Sequence, residues 1–293
     1  MRRMRRTAQA AYGILEGMKK GGLLCSKGFT IAETLVVLAV TGALFAAIVV
    51  TLSGRQQQTQ FDQSIQEVKS QIQQVINDVA VGYYPLPANF SCVATLSGPS
   101  FSAGSTNQGE NSGCIFLGKA IQFGVAGSSP EQFNVMTIAG LQRTTIGDEV
   151  TTYAAAKPNT VAPSTSSPSN PDATETKMLE YGLTTCTIFC SSGAPVGILA
   201  FVNSLASYSS GSIVSGSQQV NVIPVTGSAL GLTKAAAAQK INTALATSTV
   251  NPAAGVNLCF VSGSTNQSGL ITIGSKGRQL TVTLNIKGNK TCS

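Results

Sequence analysis

The chain contains no histidine and no tryptophan, and only 11% of its 293 residues are charged. Without histidine there is no Ser-His-Asp or Cys-His machinery and no imidazole to ligate a metal. No glycine-rich phosphate loop follows a strand pattern. Asp148 and Glu149 are adjacent, and Glu175 and Glu180 lie in or beside a proline-rich stretch; all four read as solvated loop acids. Serine and lysine are both common here, but no spacing singles out a Ser-Lys pair. The expectation is a protein that is not an enzyme and carries no cofactor.

Acid is also missing from one whole region. After Glu180 there is none, whereas Lys234, Lys240, Lys276, Arg278, Lys287 and Lys290 remain; residues 83–180 hold four bases and seven acids. A basic surface suits DNA or acidic glycans, but no aromatic residues are interleaved to stack on single strands. The preferred reading is that the two halves complement each other within a subunit or between neighbours.

What the chain does have is one long uncharged apolar run, Thr34 to Leu52, 19 residues. As a helix at ~1.5 Å per residue it is long enough to cross most of a bilayer. Ahead of it stand Lys27-Gly28-Phe29-Thr30-Ile31-Ala32-Glu33. Glu33 is a carboxylate just inside the start of the run, and a charge at membrane depth is costly enough to mark function. Residues 1–28 carry seven basic residues against one acid, Glu16. Positive flanks stay cytoplasmic, so a single-pass protein inserted N-terminus inside and C-terminus outside is expected.

A basic residue, a glycine, a phenylalanine and a glutamate five positions after the glycine resemble the cleavage and assembly signal of type IV prepilins and type II secretion pseudopilins. The resemblance covers Lys27 to about Val81. It implies that residues 1–28 are a leader removed by a prepilin peptidase and methylase, with the cut between Gly28 and Phe29 and methylation of the new Phe29 amino group. It also implies that Glu33, helped by Thr30, drives assembly through the inner-membrane machinery into a filament of homologous pilin subunits, with lipid as the surrounding before assembly. The string MKKGGLLCSKG from Met18 reads as a complete short leader by itself, so the true start is expected at Met1 or at Met18. Two other readings of the segment are a secretory signal peptide, whose apolar core should be shorter and end in a small-residue cleavage site, and a plain uncleaved anchor.

Beyond Leu52, Phe61, Ile65, Val68, Ile72, Val75 and Val79 recur at gaps of 4 and 3, one stripe of a helix. Gly82 and Pro85 supply the stop signal. The expected organisation is a long helix over 29–82, roughly 80 Å at ~1.5 Å per residue, with 29–52 transmembrane and the second half packed under a head. Gly42 sits in mid-span, either a point where the helix loosens or a place of close helix–helix approach.

Residues 83–293 form the expected head. Short apolar runs at Cys114–Val125, Phe133–Ala139, Val196–Val202, Val220–Val225, Asn257–Val261, Leu270–Ile273 and Leu280–Ile286, bounded by glycine, predict antiparallel strands. A helix is predicted at Thr233–Leu245 from its alanines, Ile241 and Leu245. Ala154–Lys177, with four prolines among Ser, Thr, Ala and Asn, predicts a flexible exposed linker with a composition open to glycosylation. Gly-Ser-Thr-Asn-Gln occurs at 104–108 and again at 263–267, which reads as repeated turn chemistry. The expected fold class is α+β, and the resemblance implies that it is pilin-like: a long N-terminal helix against a β-rich, disulfide-bonded head.

The resemblance changes the cysteine count and the charge. Cys25 would leave with the leader, and six cysteines remain of seven. An even number on an oxidising side reads as three disulfides, among 15 connectivities that six cysteines allow. Near-neighbour pairing, Cys92–Cys114, Cys186–Cys190 and Cys259–Cys292, is the expectation; Cys186–Cys190 requires a bend, since the two lie ~13 Å apart along a strand. A zinc site is disfavoured because Cys186-x-x-x-Cys190 has no second pair. The net charge of +7 falls nearly to neutral, with twelve bases against eleven acids after residue 28. The 265 residues that follow the cut make a large pilin, which favours a minor or tip subunit, with a role in adhesion, of a pilus or secretion filament at the cell surface. The alternatives are a DNA-capturing subunit of an uptake pilus and a membrane-tethered ectodomain with an enzymatic role of its own.

Overall fold

The computed structural model describes residues 30–82, 90–104, 113–127, 131–144, 147–185, 196–205, 220–226, 231–247, 255–263, 265–276 and 279–288. The chain separates into two compact units, residues 1–54 and 55–293.

The described part of the first unit is helical. Helix α1 (Ile31–Val81) begins here and is long and apolar enough to cross a membrane. Among the described side chains between Ile31 and Leu52, the large apolar ones are 49–81% exposed. A contiguous apolar surface of this kind suits lipid. The hydroxyls of Thr34 and Thr41 donate back to the carbonyls of Ile31 (2.9 Å) and Val37 (2.8 Å). Backbone carbonyls thus satisfy both inside an apolar span where water could not. The helix runs unbroken through Gly42, where an added Cβ would meet nothing within 4 Å.

In the second unit α1 becomes the centre of a core. Phe61, Ile65, Val68, Ile72, Val75 and Val79, the stripe set by the 4-3 spacing, are all buried, together with Ile76 and Ser64. Gly82 ends the helix with φ of +68°, and its N–H donates to the Val79 carbonyl at 3.1 Å, a left-handed stop that glycine adopts without strain. Because Ile72 is fully buried among sheet residues, Ile72→Ala should cost ~2–5 kcal/mol; urea denaturation of the purified chain measures it.

Two antiparallel sheets enclose this stripe. The larger has six strands: β3 (Cys114–Phe123), β4 (Gln132–Leu141), β5 (Asn159–Thr160), β6 (Glu175–Met178), β8 (Val196–Asn203) and β9 (Val220–Thr226), in the order β5-β4-β3-β8-β9 with β6 also on β4. The smaller runs β12 (Gln279–Lys287), β11 (Ser268–Lys276), β10 (Val256–Ser262) and β7 (Leu183–Thr185). Side chains of both sheets, among them Phe123, Phe133, Phe201, Phe260 and Ile271, form one cluster with α1. The opposite face of the large sheet packs on helices α2 (Tyr153–Ala156) and α3 (Lys234–Thr247) through Leu117, Met136, Ile138, Ala237, Ile241 and Leu245. Burial on both faces explains why β3 and β4 read as continuous apolar runs while the exposed-edge strand β12 alternates. A separate hairpin, β1 (Phe90–Thr95) and β2 (Gly98–Ala103), carried no strand signal in the sequence. The second Gly-Ser-Thr-Asn-Gln string lies between β10 and β11, where the Thr265 N–H donates to the Ser262 hydroxyl at 2.9 Å; Ser264 and most of the first copy lie outside the described residues.

The expectation of an exposed linker at 154–177 is corrected. Ala156, Val161 and Ala162 are completely buried, and β5 and β6 both extend the large sheet from β4. The Thr160 hydroxyl donates to Asn242 Oδ1 (2.6 Å), Asn242 Nδ2 to Asn159 Oδ1 (3.0 Å), and Asn159 Nδ2 to the Pro99 carbonyl (2.9 Å). Small side chains fill the narrow space against α3, and the half-buried amides of Asn159 and Asn242 and the buried hydroxyl of Thr160 satisfy one another. Composition alone, which counts only large apolar residues, misses this kind of packing.

Candidate functional site

The residues singled out at the start of the membrane-length run come first. Gly28 and Phe29 lie outside the described residues, as does everything before them. Thr30 stands immediately before α1 and Glu33 in its first turn. The Thr30 N–H donates to Glu33 Oε2 at 3.2 Å, its hydroxyl donates to the same oxygen at 3.3 Å, and the Glu33 N–H reaches the Thr30 hydroxyl at 3.3 Å. This is a capping box: Thr30 and Glu33 each satisfy a backbone donor that the helix end would otherwise leave open. A carboxylate in the first turn also faces the positive end of the helix dipole. Within one chain, then, Glu33 is an exposed side chain whose oxygen already serves its own helix start.

The cysteines are placed in part. Cys92 on β1 is bonded to Cys114 at the start of β3, with Cα atoms 6.2 Å apart. The bridge ties the hairpin to the large sheet and sits in a small core with Phe90, Phe101 and Val161. Cys259 on β10 is buried and disulfide-bonded. Cys186, Cys190 and Cys292 lie outside them too. Among the described residues no group of His, Cys, Asp or Glu has the arrangement of a metal site.

Lys234 pairs with Asp172 at 2.5 Å, a link between the acid-rich and acid-free portions of the chain. Burial alone would raise the Asp172 carboxyl; hydrogen bonds from Lys234 and Thr174 outweigh it and hold the group below the ordinary carboxylate range. Arg278 and Lys290 lie outside the described residues.

The acids read as solvated do not all behave alike. Asp148 and Glu149 are exposed, and the Glu149 backbone forms an isolated antiparallel β-bridge with that of Arg143. Glu175 is not a loop acid: it lies on β6 with its carboxylate 3.9 Å from the ammonium of Lys119. Lys119, on β3, is only 2% exposed and donates to Asp78 Oδ2 of α1 at 2.7 Å. Sequence reasoning passed over this lysine, although a lone charge inside the apolar run Cys114–Val125 was a visible signal. A charge taken out of water needs a close partner to be tolerated, and buried Lys119 has Asp78 at 2.7 Å, with Glu175 farther off at 3.9 Å.

No protein-family model, no curated protein and no solved structure matches this chain.

Proposed function

We propose that the chain is a subunit of a type IV pilus or a pilus-like secretion filament, made as a membrane-inserted precursor and assembled through its N-terminal helix after removal of residues 1–28. Its role is structural and interactive, not catalytic, and its large head suits a minor or tip subunit. The observation that carries the reading is the sequence Lys27 to Glu33 set directly against an apolar helix with a single carboxylate at its start. The α+β arrangement, with one helix shared between a membrane-length span and the core of an antiparallel head, supports it. Before assembly the span lies in the cytoplasmic membrane and the head outside it; afterwards both belong to the filament.

The test begins with the cut. A small residue before the scissile bond fits a narrow protease site, so Gly28→Leu should leave the chain at full length and anchored. N-terminal sequencing decides it. A normal Phe29 terminus in that variant overturns the processing step, and absence of the wild-type protein from sheared surface filaments overturns the filament role.

A further inference from the structure

We propose that Lys119 and Asp78 become joined by an intramolecular amide bond, with Glu175 as the group that moves the proton. The three residues come from three elements of the second unit and converge through the register of the large sheet. Lys119 pairs with Thr137 of β4, and Glu175 pairs with Val135 of the same strand. Thr137 and Val135 are two apart, so all four side chains share one face. That face is the one covered by α1, since Val135, Ile121 and Phe201, the residue opposite Lys119 on β8, all belong to the α1 core. Asp78 sits between Val75 and Val79 of the buried stripe. The nucleophile and the electrophile are therefore already in contact at 2.7 Å, with side-chain exposures of 2% and 22%, and the second carboxylate stands 3.9 Å away, 36% exposed.

This arrangement supplies what amide formation between two side chains requires. Holding the reacting groups in contact replaces a bimolecular encounter, which in favourable geometry amounts to an effective concentration of ~10⁵ M or more. The step begins as a proton passes along the 2.7 Å contact from the Lys119 ammonium to the Asp78 carboxylate, which leaves a neutral amine beside a neutral acid. The amine nitrogen attacks Asp78 Cγ, forming the C–N bond. Glu175 accepts the proton that the nitrogen loses and delivers it to the departing hydroxyl, which leaves as water when the C–O bond breaks. An ammonium and a carboxylate enter, an amide and one water leave, Glu175 ends as it began, and no oxidant or co-reactant is needed. The exposed side of Glu175 offers the water a way out. The product links the C-terminal part of α1 to the central strand pair of the sheet, so a pull along the helix would load a covalent bond instead of side-chain packing.

Trypsin reads the bond directly, because Asp78 and Lys119 fall between the same two cleavage sites, Lys69 and Lys119, and the next is Arg143. The full chain purified in detergent, then reduced, alkylated and digested, should yield one peptide from Ser70 to Arg143, uncut at Lys119 and one water lighter than its composition. Fragmentation should place the link between Lys119 and Asp78. Asp78→Asn should give the same linked peptide, ammonia leaving in place of water. Lys119→Arg and Asp78→Ala should abolish it, and Glu175→Gln should slow its appearance after synthesis by about 100-fold or more, the scale of a lost general acid–base group. Separate peptides Ser70–Lys119 and Ala120–Arg143 at full mass from the wild-type chain overturn the bond. A Glu175→Gln chain that links as fast as wild type overturns the role of Glu175.

Discussion

Glu33→Ala should leave processing at Gly28 and membrane insertion intact while incorporation into filaments falls roughly a hundredfold. The proposal that the helix assembles into a filament makes this an electrostatic matter. Cleavage before Phe29 creates an α-amino group that is ordinarily protonated at neutral pH. A carboxylate left alone at membrane depth costs ~2.5–3.5 kcal/mol or more, which corresponds to about two powers of ten in an equilibrium. A neighbouring subunit offering its Phe29 ammonium removes that cost and sets the register between adjacent helices. The structure adds a competing role, since Glu33 also closes the capping box with Thr30, and a cap of this kind is worth ~0.5–2 kcal/mol. Glu33→Gln separates the two. Glutamine still closes a capping box but carries no charge. If incorporation of the glutamine variant, measured by its amount in sheared filaments, falls as far as that of the alanine variant, the charge is what matters. If glutamine assembles at the wild-type level, Glu33 serves only its own helix.

Gly118→Ala should destabilise the head by about 3 kcal/mol or more, a large share of the ~5–15 kcal/mol that a folded domain possesses. Gly118 lies on β3 just after the register shift at Phe116 and Gly118, where β3 runs between β4 and β8. A Cβ there would stand 1.9 Å from the Phe201 carbonyl oxygen and 2.8 Å from Val202 Cα. Both atoms are backbone of β8, which is held on its other side by β9, so neither can move away without breaking a ladder. Glycine within a strand marks such a close backbone approach. The loss should appear as a lower urea midpoint and as rapid proteolysis between β3 and β8. Gly42→Ala is the contrast: nothing lies within 4 Å of the new methyl, and alanine favours a helix by ~1 kcal/mol over glycine, so the head should be unaffected. A wild-type urea midpoint for Gly118→Ala would show that the strands do not approach this closely.

The elements with a strong local period were legible before any fold was known. The stripe Phe61, Ile65, Val68, Ile72, Val75, Val79 is buried residue for residue. Seven of the apolar runs are strands and the alanine-rich run is α3, with ends that moved by a few residues. Each of these signals lies within a few turns or a few pleats of chain, and the side-chain period reports the backbone conformation directly. The capping box at Thr30 and Glu33 was legible in the same way, as a threonine three residues ahead of a glutamate before an apolar run, although the reading made of it concerned assembly.

The chain by itself thus determined a membrane-length helix continued by an amphipathic one, the positions of most strands, and the charge and cysteine inventory of the head. The order of strands within the sheets, the covering of the large sheet by α1 on one face and α3 on the other, and the packing of residues 154–177 against α3 were decided only by tertiary structure. So was the meeting of Asp78, Lys119 and Glu175, which the sequence scatters over an α-helix, an apolar run and a stretch read as linker. The physical reason is that a local pattern says which face of an element is apolar, not which other element will cover it. That choice depends on the burial and hydrogen bonding of residues distant in the chain, summed over the whole core. A lysine in an apolar run can therefore be recognised as unusual from sequence, but its partners exist only once β3, β4, β6 and α1 have come together.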